Sequence, residues 1–160
     1  MIRRIAVVVL FALVPVGSVV ASAVPSDDFL AALGAARADV RWDRNSVVAR
    51  DFDGDGKADF AVVGYVGAGL VVATRVSKDA KPSDIQYVSF GIGNAQDSIC
   101  TAPAHLVWTP LVCDINGTRL PGCDESRGVS GLTLSDRDGD CDPINLYWDH
   151  TQHRMGWWRN

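Results

Sequence analysis

The residues best placed for chemistry are the carboxylates of the segment Asp51-Phe52-Asp53-Gly54-Asp55-Gly56-Lys57-Ala58-Asp59. The acids stand at positions 1, 3, 5 and 9 of the segment, and the glycines stand at positions 4 and 6. Ca²⁺ prefers roughly six to eight oxygen ligands, and it suits such a loop better than Mg²⁺, which demands stricter octahedral geometry. A tightly wound loop directs alternate side chains to one point, and Gly56 permits the sharp turn. We therefore predict a Ca²⁺ site formed by the side chains of Asp51, Asp53, Asp55 and Asp59 and the backbone carbonyl of Lys57. The alternative is a solvated acidic turn.

The flanks of the loop separate it from an EF-hand. Position 12 would be a bidentate Glu in an EF-hand but is Val62, and the neighbouring segments are strand-like instead of helical. The stretch Asp51–Gly64, DFDGDGKADFAVVG, resembles the calcium loop of FG-GAP/VCBS-type repeats. In that family a D-x-D-G-D-G-x-x-D loop joins two antiparallel strands of a β-propeller blade. The resemblance implies a Ca²⁺ ligand set, but the chain has room for only one or two blade-like units, not a closed propeller.

A second acidic run resembles a degenerate copy of this loop. It matches positions 1, 3, 4 and 5, but Cys141 replaces the glycine at position 6 and Ile144 replaces the acid at position 9. The candidate ligands of a second metal ion are Asp136, Asp138, Asp140 and Asp142. The sequence favours an ordinary Asp-rich turn here over a metal site.

The composition limits the classes of function. The 160 residues include 19 acids and 15 Lys or Arg, giving a net charge of −4. An acidic surface repels phosphate backbones, so we predict no nucleic-acid partner. All acids but Glu125 are Asp, which favours turns and short oxygen-ligand loops over helices.

The first 23 residues have the pattern of a signal peptide. Arg3 and Arg4 form a positive start, an apolar stretch follows, and Ala21-Ser22-Ala23 is an A-x-A cleavage site. The alternative is a retained membrane anchor, but Pro15 and Gly17 interrupt the apolar run. We predict an exported protein, periplasmic or secreted, with no membrane contact after cleavage and one domain at residues 24–160.

Export makes two disulfides the expected state of the four cysteines. Four cysteines allow three connectivities, and the sequence does not choose among them. Asn116-Gly117, a strong hairpin signal, lies between Cys113 and Cys123 and favours that pair, which would leave Cys100 with Cys141. Zinc is the competing interpretation, but no C-x-x-C pair is present in the sequence.

Apart from a short helix predicted at Ser26–Ala38, the chain has the pattern of short strands separated by turns. The predicted strands are Ser46–Arg50, Phe60–Tyr65, Leu70–Val76, Ile85–Phe90, His105–Val112, Gly131–Leu134, Ile144–Trp148 and a C-terminal segment from Met155. This spacing predicts a mainly β, antiparallel domain, either blade-like or sandwich-like.

No catalytic motif stands out in the sequence, so we predict a binding protein and not an enzyme. His150 and His153 are expected to be exposed residues of a polar turn. Adjacent Trp157 and Trp158 should point to opposite faces of a strand, and one of them is a candidate contact for a protein or glycan partner.

The leading prediction is an exported domain in which Ca²⁺ stabilises a loop. The alternatives are a periplasmic inhibitor or immunity protein against a cell-wall hydrolase, a carbohydrate-binding module, and a hydrolase with structural calcium.

Overall fold

The computed structural model describes residues 25–76, 84–127, 129–139 and 141–160. The predicted signal peptide and Asp140 lie outside these ranges. Helix α1 (Pro25–Ala36) opens the described chain, and short 3-10 helices occupy Arg44–Ser46 and Glu125–Arg127. The strands in chain order are β1 (Arg41–Trp42), β2 (Val48–Arg50), β3 (Asp59–Val66), β4 (Gly69–Arg75), β5 (Ile85–Ile92), β6 (Ser98–Ile99), β7 (Ala104–Pro110), β8 (Asp114–Ile115), β9 (Thr118–Arg119), β10 (Ser130–Asp136), β11 (Ile144–Asp149) and β12 (Arg154–Trp158).

Most strands belong to two sheets. The first sheet has the order β1-β3-β4-β5-β6, and β2 shares the free side of β3 with β1. The second sheet has the order β12-β11-β10-β7, and β8 with β9 forms a separate hairpin. Every pairing is antiparallel except that of β5 with β6, which is parallel. The predicted mainly β, antiparallel fold is therefore confirmed, in its sandwich-like form.

One hydrophobic core lies between the two sheets. It draws Val63 and Val72 from the first sheet and Leu132 and Leu146 from the second, all at most 1% exposed. Phe52, from the acidic loop, is fully buried in the same core. Strand β7, which has one face in this core and the other face exposed, shows the alternation of buried and exposed residues that this arrangement produces.

Helix α1 covers the outer face of the first sheet. Phe29 and Leu33 are fully buried against Phe60, Val62 and other residues of that face. This second layer explains why β3 is buried on both sides and reads as a continuous apolar run instead of an alternating one. No helix among the described residues is long and apolar enough to cross a membrane.

The structure contains two disulfides, and both pairs agree with the connectivity that the sequence favours. Cys113–Cys123 spans the β8–β9 hairpin and packs against Tyr147 on the outer face of the second sheet. Cys100–Cys141 joins segments 41 residues apart. Asn116 and Gly117 both have positive φ, 53° and 81°, as the predicted two-residue hairpin turn requires.

Strands β1 and β6 were not predicted. Each has only two residues and is defined by its backbone pairing: β1 pairs with β3 through Arg41 and Tyr65, and β6 pairs with β5, the strand before it, through Ile99 and Ile92. Such short strands leave no periodic pattern in a sequence.

Candidate metal centre

The acidic loop closes because the strands on either side of it pair. Residue Arg50 at the end of β2 is the register partner of Asp59 at the start of β3. The antiparallel pairing therefore places the two ends of the segment, Asp51 and Asp59, side by side. Although Asp51 and Asp59 are eight positions apart in the sequence, the β2–β3 pairing makes them neighbours in the structure.

Side chains of the loop organise its own backbone. The Asp51 carboxylate accepts the N–H of Gly54 at 2.6 Å and that of Gly56 at 2.8 Å. Asp53 Oδ1 accepts the Asp55 N–H at 3.1 Å, and Asp55 Oδ1 accepts the N–H of Lys57 at 2.8 Å. These bonds wind the segment tightly, as the 1-3-5 spacing predicts.

Asp59 differs from the other acids of the loop because it is only 1% exposed. Its Oδ2 accepts the N–H of Phe52 at 2.7 Å, and the Phe52 ring lies in the core between the sheets. A buried carboxylate is costly unless it is hydrogen-bonded or paired with a cation. Asp59 therefore ties the loop to the folded core and places a carboxyl oxygen at the site.

The structure brings together three of the four predicted carboxylates. One oxygen each from Asp51, Asp53 and Asp59 lies within 4.8 Å of the others. This is the spacing of oxygens that share one cation, since ligands about 2.3–2.6 Å from an ion lie at most about 5 Å apart. Asp55 is exposed and is not part of this group. Its role as a ligand, and that of the Lys57 carbonyl, stay predictions.

The surroundings of Asp53 disfavour the negative charge of its carboxylate. Burial raises the pKa of the Asp53 carboxyl above its ordinary value of 3.8, and the charges of Asp55 and Asp51 raise the pKa further. Hydrogen bonding from Asp55 N–H and the proximity of His150 act in the opposite direction. The ionised Asp53 carboxylate is thus disfavoured first by burial and then by its acidic neighbours, and a bound divalent ion would favour the ionised form.

Two glycines of the loop have left-handed backbone, Gly54 with φ +75° and Gly56 with φ +81°. Gly56 is the glycine predicted to permit the sharp turn. A Cβ at Gly56 would meet no atom within 4 Å, so only its backbone conformation favours glycine there. At Gly54 a Cβ would lie 2.6 Å from Cβ of Arg127 and 3.0 Å from Cγ1 of Val129. Gly54 is therefore required both by its backbone and by its contact with the segment before β10.

A cleft of about 670 Å³ adjoins the loop. Its lining includes Asp53, Asp55, Trp148, His150 and His153. The prediction of an exposed His150 is wrong, because the residue is half-buried and its Nε2 is buried without a hydrogen-bond partner among the described residues. Sequence reasoning missed this because the β11–β12 turn meets the acidic loop only through the packing of the two sheets.

The second acidic run begins in the same way as the first. Asp136 Oδ1 accepts the Gly139 N–H at 2.8 Å, and Gly139 has φ +72°, matching Asp51 and Gly54. Asp136 is 3% exposed, and its Oδ2 has no hydrogen-bond partner within the described residues. Asp138 and Asp142 are exposed, and Asp140 lies outside the described residues. The sulfurs of Cys100 and Cys141 near Asp136 form a disulfide and so are not thiolate ligands.

The terminal tryptophans point to opposite faces of β12, as predicted. Trp158 packs with the Cys113–Cys123 cluster, whereas Trp157 is 38% exposed and meets Phe90 edge-on with ring centroids 5.7 Å apart. Trp157 is therefore the better placed of the two for a partner contact.

No protein-family model, curated protein or solved structure matches this chain.

Proposed function

We propose that this chain is an exported calcium-binding β domain that acts as a binding or interaction protein. The observation that carries the proposal is the convergence of carboxylate oxygens from Asp51, Asp53 and Asp59 within 4.8 Å. Two disulfides fit an exported protein, because such bonds persist in oxidising compartments. The resemblance of the loop to FG-GAP/VCBS-type repeats supports the same ion.

The donor set fits Ca²⁺. Asp51, Asp53 and Asp59 would hold the ion, with Asp55 and the Lys57 carbonyl as further oxygen ligands. Ca²⁺ prefers carboxylate and carbonyl oxygens in flexible geometry, and an irregular loop supplies both. When bound, the ion would cancel the repulsion between the carboxylates and fix the β2–β3 connection.

The role of the ion is structural in this proposal. The loop anchors to the core through Phe52 and Asp59, so an ordered loop also orders the end of β2 and the start of β3. A ligand that binds only the folded state stabilises it by about 2.7 kcal/mol at a concentration one hundred times its Kd.

Calorimetry of the mature chain after removal of metal by a chelator tests the proposal. We expect saturable Ca²⁺ binding, lost in Asp53→Asn and Asp59→Asn, because both changes remove charge and keep an acceptor oxygen. Asp114→Asn is the matched control, since Asp114 Oδ1 also accepts a glycine N–H three residues on, from Gly117 at 2.8 Å, but lies in another turn.

The stoichiometry of Ca²⁺ binding tests whether the second acidic run, with Asp136, also binds a metal ion. A second equivalent of Ca²⁺ that disappears in Asp136→Asn would add that run to the site. Absence of any binding at millimolar Ca²⁺, or binding that survives both loop variants, would contradict the proposal.

A further inference from the structure

We infer that reduction of the Cys100–Cys141 disulfide creates a Zn²⁺ site formed by the two cysteine sulfurs and the carboxylate of Asp136. One ligand atom from each of these three residues lies within 4.8 Å of the others. In a tetrahedral site with bonds of about 2.0–2.3 Å, ligand atoms lie roughly 3.3–3.8 Å apart, so small side-chain rotations enclose an ion once the S–S bond is broken. The three residues lie outside the loop Asp51–Asp59, so the inference is independent of the proposed Ca²⁺ site.

The carboxylate of Asp136 has an oxygen that is buried without a partner. Asp136 is 3% exposed, and its Oδ2 makes no hydrogen bond within the described residues. The equivalent acid of the first run, Asp51, accepts backbone N–H groups with both oxygens, from Gly54 and Gly56. In the second run the residue at the position of Gly56 is Cys141, which forms the disulfide. A buried carboxylate oxygen without a partner is costly, and a cation beside it removes that cost.

The fold holds the two cysteines together independently of their S–S bond. Cys100 follows Ile99, which ends β6, pairs with β5 and is 2% exposed in the core between the sheets. Cys141 lies three residues before Ile144, which is fully buried in the same core. The two Cα atoms are 5.7 Å apart. Because both backbone segments are anchored in the core, we expect the two thiols to stay beside each other after reduction.

A reductant reaches this disulfide more easily than the other one. Cys100 and Cys141 are half-buried and line a surface cleft of about 280 Å³. Cys113 and Cys123 are 0% and 6% exposed and pack against Tyr147. A thiolate must reach a disulfide sulfur in order to exchange with it, so the difference in exposure favours reduction of Cys100–Cys141.

The reductant in this proposal is a dithiol, the chemical group that thiol–disulfide oxidoreductases carry. Two electrons pass from the dithiol to the Cys100–Cys141 bond, which breaks while an S–S bond forms between the two sulfurs of the dithiol. The two protons of the dithiol pass to the cysteine sulfurs. Those sulfurs bind Zn²⁺ as thiolates and release the two protons to solvent.

The donor set selects zinc over calcium. Thiolates are soft ligands that favour Zn²⁺, whereas Ca²⁺ takes oxygen ligands. Two thiolates and the carboxylate of Asp136 make three protein ligands, and a tetrahedral zinc site of that kind keeps its fourth position for water. The reduced site therefore differs in chemistry from the oxygen site proposed for the first acidic run.

Reduction of the folded mature chain with dithiothreitol at saturating Ca²⁺, followed by removal of the reductant without oxygen, tests the inference. We expect two thiols per chain, which alkylation and mass spectrometry assign to Cys100 and Cys141. The reduced chain should bind one equivalent of Co²⁺ with the thiolate-to-metal absorption band of cysteine ligation, and Zn²⁺ should displace the Co²⁺. The oxidised chain should not develop this band.

Variants test the ligands one by one. Asp136→Asn should weaken Zn²⁺ binding to the reduced chain about tenfold or more, since loss of even an outer-shell partner costs about 10–100-fold in affinity. Asp138→Asn is the matched control, because it removes the same charge from an exposed residue of the same run. Cys100→Ser/Cys141→Ser should abolish the Co²⁺ band. Tryptophan fluorescence and thermal unfolding of each variant show that it is folded.

Release of four thiols at one rate, or of none, would overturn the inference. Equal Zn²⁺ affinities in the reduced and oxidised chains would overturn it as well, and so would an Asp136→Asn variant that binds Zn²⁺ as tightly as Asp138→Asn does. Ca²⁺ titration of the oxidised chain, in which the two sulfurs are not thiolates, gives the proposed function a separate result.

Discussion

At the residue scale, the aspartates of the loop have different structural roles, although their regular spacing in the sequence suggests that they are equivalent. Asp51 winds the loop through two backbone N–H groups, and Asp59 is buried and holds Phe52. Asp53 is the acid whose pKa is raised by burial and by its neighbours' charges. Position in the motif alone does not distinguish these roles.

Asp53→Asn should therefore change stability in opposite directions with and without metal. A carboxyl with a raised folded-state pKa stabilises the fold below its ordinary pKa, and this contribution is lost as pH rises through the raised value. At neutral pH without metal, the variant should melt at a higher temperature than wild type, because it removes a partly buried charge and the repulsion between that charge and Asp55 and Asp51.

With saturating Ca²⁺ the order should reverse, because the variant loses a ligand of the ion. Thermal unfolding at neutral pH, once in chelator and once in Ca²⁺, measures the difference in melting temperature between variant and wild type under each condition. Asp114→Asn serves as the control. A variant less stable than wild type in chelator would contradict the electrostatic account.

At the element scale, helix α1 and the β3–β4 hairpin contain glycines in open space but in different backbone conformations. A Cβ at Gly34 in the helix, or at Gly67 in the turn, would meet no atom within 4 Å. Gly67 has φ +55°, whereas Gly34 lies inside a right-handed helix. Alanine would meet no steric clash at either position, so a comparison of the two substitutions isolates the effect of backbone conformation.

We predict that Gly34→Ala stabilises the protein by about 0.5–1 kcal/mol, since alanine loses less backbone entropy in a helix. Gly67→Ala should destabilise it by about 1–2 kcal/mol, since a Cβ disfavours left-handed backbone. Urea denaturation measures both free energies of unfolding. Changes of the same sign would show that the backbone conformation does not govern these positions.

At the scale of the whole molecule, Gln86 joins the two sheets beside their shared core. It lies on β5 of the first sheet, and both of its hydrogen bonds reach the β11–β12 hairpin of the second, 67 and 69 residues away in the chain. Phe90 and Trp157 make a further contact between the same two strands. The cleft that adjoins the acidic loop and a second cleft of about 480 Å³ between β5 and β12 both include Gln86 in their lining.

Gln86→Met, which keeps the approximate shape, should cost about 1–3 kcal/mol because it leaves a backbone donor and acceptor without their partner. The exchange of the Met155 amide hydrogen should accelerate more than that of amides in β10. Gln96→Met, a change at an exposed loop residue, is the control and should leave both measurements unchanged. Unaltered exchange at Met155 in Gln86→Met would argue against this link between the sheets.

By itself the sequence determined the features that depend on local spacing. The 1-3-5-9 acids, the Asn116-Gly117 turn and the β-branched runs each act over a few residues, so the loop, the hairpin and the mainly β class were predictable. The hairpin also made the favoured disulfide pairing predictable, since it brings Cys113 to Cys123.

Only the tertiary structure decided which of these residues meet. The burial of Asp59, the contact of Gly54 with Arg127, the half-buried His150 and the contact of Phe90 with Trp157 all depend on packing between segments far apart in the chain. Local pattern carries no information about such contacts, because they depend on how the faces of two sheets are brought into register. Burial then shifts the pKa of each titratable side chain and determines which hydrogen-bond partners the side chain can reach. These two properties decide the chemistry that is available to the site.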